Sequence, residues 1–228
     1  MVVSRKGALW VAACALCISE VPIDTRRVAS NSMAPTIHAG DWVIVQTCPL
    51  WCRMAMPVAS EHTLRNRVVV VAAPQGSMAG LTDKEAVLLV KRVVGVAGDT
   101  LQMRDALLYI NGIVERPAHT GQRNVPDEAS SAFAWQKSLI ITHSRFGYSP
   151  GEASRDNWGP LVIPPGKLFL LGDNRYHSND SRYFGLVPVK MIRGFPRYIY
   201  ATHRESTKGP YILPDSDQAA FSGRRRIQ

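Results

Sequence analysis

Val87-Leu88-Leu89-Val90-Lys91-Arg92-Val93-Val94-Gly95-Val96 is an apolar run interrupted only by two adjacent cations, Lys91 and Arg92. Its Val-rich composition predicts a β-strand. Side chains alternate across a strand, so Val87, Leu89, Lys91 and Val93 share one side and three apolar neighbours flank one amine. A free lysine titrates near ~10.4, and burial in such surroundings lowers that value because the charged form is poorly solvated. The same pattern also suits a lysine that lays its stem on apolar surface and extends its ammonium into water. The run by itself leaves both readings open.

Upstream lies Ser30-Asn31-Ser32-Met33-Ala34-Pro35-Thr36. Asn-Ser ahead of Pro is an ordinary turn signal. A serine hydroxyl is also a weak nucleophile that a neutral lysine can activate. A third element follows the apolar stretch Lys167-Leu168-Phe169-Leu170-Leu171: the polar, turn-rich run from Gly172 to Gly185. It can be read as a solvated loop. A calcium loop fits poorly, because Asp173 and Asp180 lack the alternating oxygen ligands that gather around one ion. A lysine base needs a partner that orients its amine without fixing its charge, and a hydroxyl such as Ser178 suits that need. Asp180 and Arg182, two residues apart, are placed to clamp the loop as an ion pair.

Taken in order, Ser32-Met33-Ala34-Pro35-Thr36 with Gly40-Asp41, Lys91-Arg92-Val93-Val94-Gly95-Val96-Ala97-Gly98-Asp99, and Gly172-Asp173-Asn174 through Ser178-Asn179-Asp180-Ser181-Arg182 resemble one family. It is the type I signal peptidases, membrane-bound Ser/Lys enzymes that remove signal peptides from exported proteins. The resemblance covers most of residues 28–195. It implies a mainly β fold, with a signal-peptidase-type β-sheet catalytic core, an inserted cap and a short N-terminal membrane-anchor helix. By position it makes Ser32 the nucleophile and Lys91 the general base. Ser30 and the backbone N–H of Ser32 become the oxyanion donors, groups already aimed where negative charge develops. Ser178 becomes the lysine-orienting hydroxyl, and Asp180 and Arg182 the structural ion pair beside it. Val28, Met33, Ile37 and Val90 fall where the family lines its shallow pockets for small residues. No metal or organic cofactor is implied.

The chain departs from the family in two places. Members usually carry an Arg-Gly-Asp turn where this chain reads Arg65-Asn66-Arg67; Asn66 suits a turn because it tolerates positive φ, but the acid is missing. The apolar segment at residues 7–21, preceded by Arg5 and Lys6, is shorter than the about 20 residues that span a bilayer core. An anchor, an uncleaved signal-like segment and a mitochondrial-type presequence all fit it. The favoured expectation is an anchor with Met1 inside and the catalytic part outside, although Arg26 and Arg27 beyond the segment weaken the positive-inside bias.

Composition fits one compact catalytic body with an appendage: 228 residues, 46% hydrophobic, net charge +9. The arginines are scattered except for Arg224-Arg225-Arg226, and no zinc-finger spacing or RNP-type motif accompanies them, which argues against nucleic acid. Attraction to anionic lipid is a better use of the charge. Cys14 and Cys17 lie in the apolar segment, where membrane packing explains them; Cys48 and Cys52 have the spacing for a disulfide in an oxidising compartment. Between Cys48 and Val58, Leu50, Trp51, Met54, Met56 and Pro57 form an apolar loop suited either to core packing or to partial insertion into the bilayer.

The expected organisation is an anchor at 1–24, a catalytic β core at 25–115 and 159–200, an inserted cap at 116–158 and a basic tail at 201–228. Strands are expected at 41–47, 67–72, 87–96 and 100–103. Residues 107–114 should form a hairpin on the Asn111-Gly112 turn, with a further turn at Gly98-Asp99. Trp135 and Trp158 stand as isolated aromatics in the irregular segment. The expected partners are signal-peptide-bearing preproteins and the lipid bilayer, acting on a monomer. The expected place is the bacterial cytoplasmic membrane, catalytic part on the outer face, with the mitochondrial inner membrane as alternative. Two other readings are a LexA-like self-cleaving Ser/Lys peptidase and a catalytically idle membrane assembly factor. The first should carry a DNA-binding helix-turn-helix domain ahead of the serine, where this sequence reads as a short apolar segment, and the intact Ser30, Ser32, Lys91 and Ser178 set argues against idleness.

Overall fold

The computed structural model describes residues 22–47, 58–73, 87–115, 126–127, 131–140, 153–202 and 211–212. The apolar segment at 7–21, both cysteine pairs, the apolar loop at 50–57 and the arginine cluster at 224–226 lie outside these residues. Among the described residues no helix is long and apolar enough to cross a membrane.

The protein is mainly β. In chain order the strands are β1 (Ile23–Arg27), β2 (Trp42–Thr47), β3 (Val68–Ala72), β4 (Leu88–Gly95), β5 (Thr100–Arg104), β6 (Leu107–Ile110), β7 (Ile113–Val114), β8 (Trp158–Val162), β9 (Lys167–Leu171), β10 (Val187–Pro188), β11 (Ile192–Ala201) and β12 (Tyr211–Ile212). Among the described residues one α-helix occurs, the single turn α1 (Ser181–Phe184), and 3-10 turns occupy Val58–Leu64, Ser131–Ser138 and Val189–Met191. One sheet runs β1-β2-β11-β3-β4-β9-β10 with β12 on β11; the other runs β7-β6-β5-β8. Every pairing is antiparallel.

The run that predicted a strand is β4, and it is buried on both sides. Leu89 and Val93 pack in a cluster with Val69, Val71, Leu168 and Ile192. On its other face Val94 joins Leu101, Trp158, Leu161 and Phe169, the core between the two sheets. Leu88 and Val90 pack against Met33, Ile37, Val43 and Val70. This double burial explains why the run is continuously apolar rather than alternating. Burying Lys91 in it is therefore a question of where the amine ends.

Both expected turns form. Asn111 and Gly112 have φ of 53° and 82°, the pair of positive values that a tight hairpin needs, and β6 and β7 flank them. Gly98 has φ 85°, and Asp99 beside it accepts from the amide of Val96 at 2.9 Å, Arg65 Nη2 at 2.7 Å and Asn111 Nδ2 at 2.9 Å. Trp158 differs from expectation: it opens β8 and is fully buried between the sheets. A lone tryptophan in a polar sequence carries no periodicity, so its strand was not visible. β1 starts at Ile23, and Tyr211–Ile212 adds β12 beyond residue 201.

Gly194 of β11 pairs with Thr47 of β2 and Val70 of β3, and a Cβ there would come within 2.6 Å of the Gln46 carbonyl oxygen. Gly194→Ala is expected to destabilise the protein by about 1–3 kcal/mol through overpacking against backbone. A urea unfolding curve of the full chain, with its midpoint lowered, checks this.

Candidate active site

Ser32 sits in the turn between β1 and β2, held from two sides. Met33 and Ile37, next along the chain, are buried with Val28 in the cluster that Val90 packs against. The carbonyl of Ser32 accepts the amide of Asn174 at 3.1 Å, while Asn174 Nδ2 donates to the Asn31 carbonyl at 3.2 Å. The Ser32 turn is thus tied to the loop after β9. The four residues expected to line pockets, Val28, Met33, Ile37 and Val90, come together beside it.

Lys91 enters from β4, and its Nζ lies 2.7 Å from Ser32 Oγ. Ser32 is 8% exposed and Lys91 only 3%, which decides between the two readings of the lysine: the amine ends inside the protein, not in water. Burial pushes the Lys91 amine below its ordinary 10.5; Asp180 and Asp173 pull it back up, and Arg182 adds to the lowering. A lowered lysine loses its proton earlier as pH rises, so the neutral form that can accept a proton becomes available below 10.5. The hydroxyl of Ser30, an exposed residue, donates to Ser32 Oγ at 3.2 Å.

Behind this pair stands the loop from Gly172 to α1. A Cβ on Gly172 would overlap both the Ser32 carbonyl oxygen and Ser178 Oγ, so only glycine lets this loop meet the Ser32 turn. Ser178 is buried, and the bond from its Oγ to Lys91 that was expected is not made in this arrangement; its hydroxyl instead helps to lower the Asp180 carboxyl. Asp180 caps α1, accepting from the Arg182 amide at 3.3 Å and from the Gly172 amide at 3.1 Å. Its carboxylate forms a two-point ion pair with Arg182, Nε to Oδ1 at 2.8 Å and Nη2 to Oδ2 at 2.9 Å. Burial alone would push the Asp180 carboxyl up, but the Arg182 charge and these hydrogen bonds hold it below 3.8. The sign is that of a stabilising acid: its contribution is complete above 3.8 and is lost as pH falls through the lowered value. Removing either partner alone would strand a buried charge, costing about 3–5 kcal/mol.

Sequence reasoning missed a second ion pair. Arg92 Nε and Nη2 reach Asp173 Oδ1 and Oδ2, both at 2.7 Å, and Arg92 Nη1 donates to the Asn66 carbonyl at 2.7 Å. Thr36 Oγ1 donates to Asp173 Oδ2 at 2.5 Å. Asp173 therefore joins the residue after Lys91 to the turn after Ser32. Nothing in the sequence pairs Arg92 with an acid so far along the chain, although its place beside Lys91 was a signal. Arg175 and Glu115 were missed too; they form another two-point pair at 2.8 and 2.9 Å, and Arg175 Nε donates to the Gly172 carbonyl at 3.1 Å. At the turn lacking its acid, Asn66 has φ 64° and donates its amide to Val93 at 2.7 Å. Arg65 is held by Asp99, and the Arg67 guanidinium lies 5.6 Å from the Phe195 ring centre.

The family model described as "Signal peptidase, peptidase S26" matches residues 4–201. The chain is 27% identical over 204 residues to signal peptidase I of Bacillus licheniformis, covering 89% of this chain and 90% of that protein. It is 31% identical over 188 residues to signal peptidase I of Pseudomonas fluorescens, covering 75% of this chain and 62% of that protein. A crystal structure of a signal peptidase I from Enterococcus faecalis V583 aligns with 26% identity over 57% of this chain and 93% of that chain, with a TM-score of 0.34.

Gly172→Ala is expected to slow labelling of Ser32 by a serine-directed acylating probe by roughly a hundredfold, because displacing reacting groups by an ångström has that effect. In the unsubstituted chain the labelling rate should rise with pH as Lys91 loses its proton, with its inflection below 10.5. Stopped-time labelling followed by mass spectrometry measures both, and far-UV circular dichroism verifies the fold of the variant.

Proposed function

Because the chain belongs to the signal peptidase family, peptidase S26, a group of serine peptidases that remove signal peptides, we propose that it does so through a Ser32 acyl-enzyme with Lys91 as general base. The observation that carries this reading is the 2.7 Å approach of a buried amine to Ser32 Oγ. Neutral Lys91 takes the hydroxyl proton as Ser32 Oγ attacks the carbonyl carbon of the scissile bond. The Ser30 hydroxyl, turning from Ser32 Oγ, and the Ser32 amide stabilise the oxyanion. Protonated Lys91 then gives its proton to the leaving amine, and the signal peptide stays esterified to Ser32. Water, deprotonated by Lys91, attacks the ester; the hydroxyl of Ser32 recovers its proton and the signal peptide leaves with a free carboxylate.

The substrates are preproteins bearing signal peptides. Val28, Met33, Ile37 and Val90, gathered beside Ser32, would form shallow apolar pockets for small residues ahead of the cut. Ser178 would orient the Lys91 amine, by a hydrogen bond that forms when substrate closes the site. Ser32→Ala and Lys91→Ala are each expected to abolish processing of a signal-bearing precursor in detergent while the variants remain folded. Gel mapping of the cut site reads the outcome, and activity in either variant would sink the mechanism.

The reading includes a membrane. On the face of β2 opposite Val43 and Val45, Trp42 is exposed and its ring centre lies 6.2 Å from that of exposed Tyr200. Exposed Tyr198 pairs with Ile44 on the same face, and exposed Ile23 opens β1 directly after the apolar segment at 7–21. Trp and Tyr rings favour the headgroup level of a bilayer. The segment at 7–21 would anchor a monomeric enzyme in the bacterial cytoplasmic membrane, with the catalytic part on the outer face beside the lipid. Replacing Trp42 and Tyr200 with serine together should slow processing of a precursor presented in anionic vesicles by about tenfold, equivalent to about 1.4 kcal/mol of interfacial binding. Cleavage of a soluble peptide should keep its rate. Equal slowing on both substrates would remove the lipid role.

A further inference from the structure

The 3-10 turn Ser131–Ser138, in the segment between β7 and β8, sends two aromatic side chains onto α1. Trp135 donates its indole Nε1–H to the carbonyl of Arg182 at 3.0 Å. The helix has too few residues to satisfy that oxygen itself: the amides of Tyr183 and Phe184 go to Asp180 and that of Gly185 goes to Ser181. The indole ring lies over Gly185, whose φ of 82° favours glycine and where a Cβ would come within 3.2 Å of the ring. On its other side the ring centre is 6.4 Å from that of Phe169 in β9. Phe133, 1% exposed, has its ring centre 5.3 Å from that of Tyr183. A single helical turn does not hold itself together in water, so its position is set by what grips it.

What α1 carries is close to the reacting groups. Arg182 holds the Asp180 carboxylate, Asp180 Oδ2 accepts the Gly172 amide, and Gly172 lies against the Ser32 carbonyl with no room for a Cβ. We propose that Phe133 and Trp135 form a clamp of positioning residues, which fixes the one-turn helix bearing Asp180 and Arg182 and through it the geometry of the Ser32 and Lys91 pair. This inference rests on the Ser32/Lys91 reading above. It assigns part of the segment between the sheets a task in the reaction.

The clamp has a signature that packing alone would not give. Asp180 and Asp173 raise the Lys91 pKa and Arg182 lowers it, while burial, the largest influence, also lowers it. The hydroxyl of Ser32 lies against the amine at 2.7 Å. A loosened α1 admits water, so the amine keeps its proton to higher pH and the acidic limb of the rate profile moves up toward 10.5.

The test compares full-length wild type, Trp135→Phe and Phe133→Leu on a signal-bearing precursor across pH, beside Ser32→Ala and Lys91→Ala. Each clamp variant should lose roughly three- to tenfold in kcat with KM within about twofold, and its acidic limb should shift upward. A folded Trp135→Phe with unchanged kcat and limb overturns the proposal, as does a loss confined to melting temperature. Should Trp135→Phe not fold, Phe133→Leu decides by the same readout, since it keeps the indole donor and most of the core volume. Activity in Ser32→Ala or Lys91→Ala would instead remove the underlying mechanism and the clamp with it, while dead dyad variants beside an unmoved limb would remove the clamp alone.

Discussion

An amine is kept out of water at the centre of a sheet, 2.7 Å from a serine hydroxyl, and the rest of the structure is arranged around that constraint. A lysine that reached solvent would stay charged at neutral pH and could not take a proton. Burying it between Val69, its partner across β3, and the apolar residues of β4 makes the charged form unfavourable. The neighbouring charges are then held in pairs. Asp180 with Arg182 and Asp173 with Arg92 each form two-point ion pairs; Asp180 and Asp173 raise the lysine, Arg182 opposes them, and burial, the largest influence, prevails.

Those pairs also solve a mechanical problem. Ser32 lies in the turn between β1 and β2, Lys91 on β4 and the loop after β9 is a third element, so three segments distant in sequence must meet at one place. Gly172 permits the meeting because it has no side chain, and Asp173, Asn174 and Asp180 on the same loop tie it to Thr36, to the Ser32 carbonyl and to α1. The loop is the joint of the site. Its outer end is held by Arg175 and Glu115, which links it to the end of β7 in the second sheet.

Much of the fold was legible where local rules act alone. A Val-rich run means a strand, Asn-Gly means a tight hairpin, and Gly-Asp means a turn; β4, the turn between β6 and β7, and the turn at Gly98 all formed as read. Trp158 was not legible, because its burial depends on β5 and Phe169, far away in sequence. Arg92 with Asp173 was hidden for the same reason: charge pairs leave no periodic mark. Ser178 was picked out by its chemistry, yet it makes no hydrogen bond to Lys91, since hydrogen bonding depends on rotamer and distance rather than residue type.

By itself the sequence determined that a serine, a lysine in an apolar strand and a polar loop with an acid and an arginine occur in an order shared with the signal peptidases, and that the chain is mainly β. Those are matters of residue type, spacing and period. Only the tertiary structure decided that the Lys91 amine ends inside the protein rather than in water, which both readings of the run allowed. The reason is physical: exposure and electrostatic environment are properties of what packs around a side chain, and for Lys91 those neighbours lie on strands, loops and a helix turn that adjoin it only after folding.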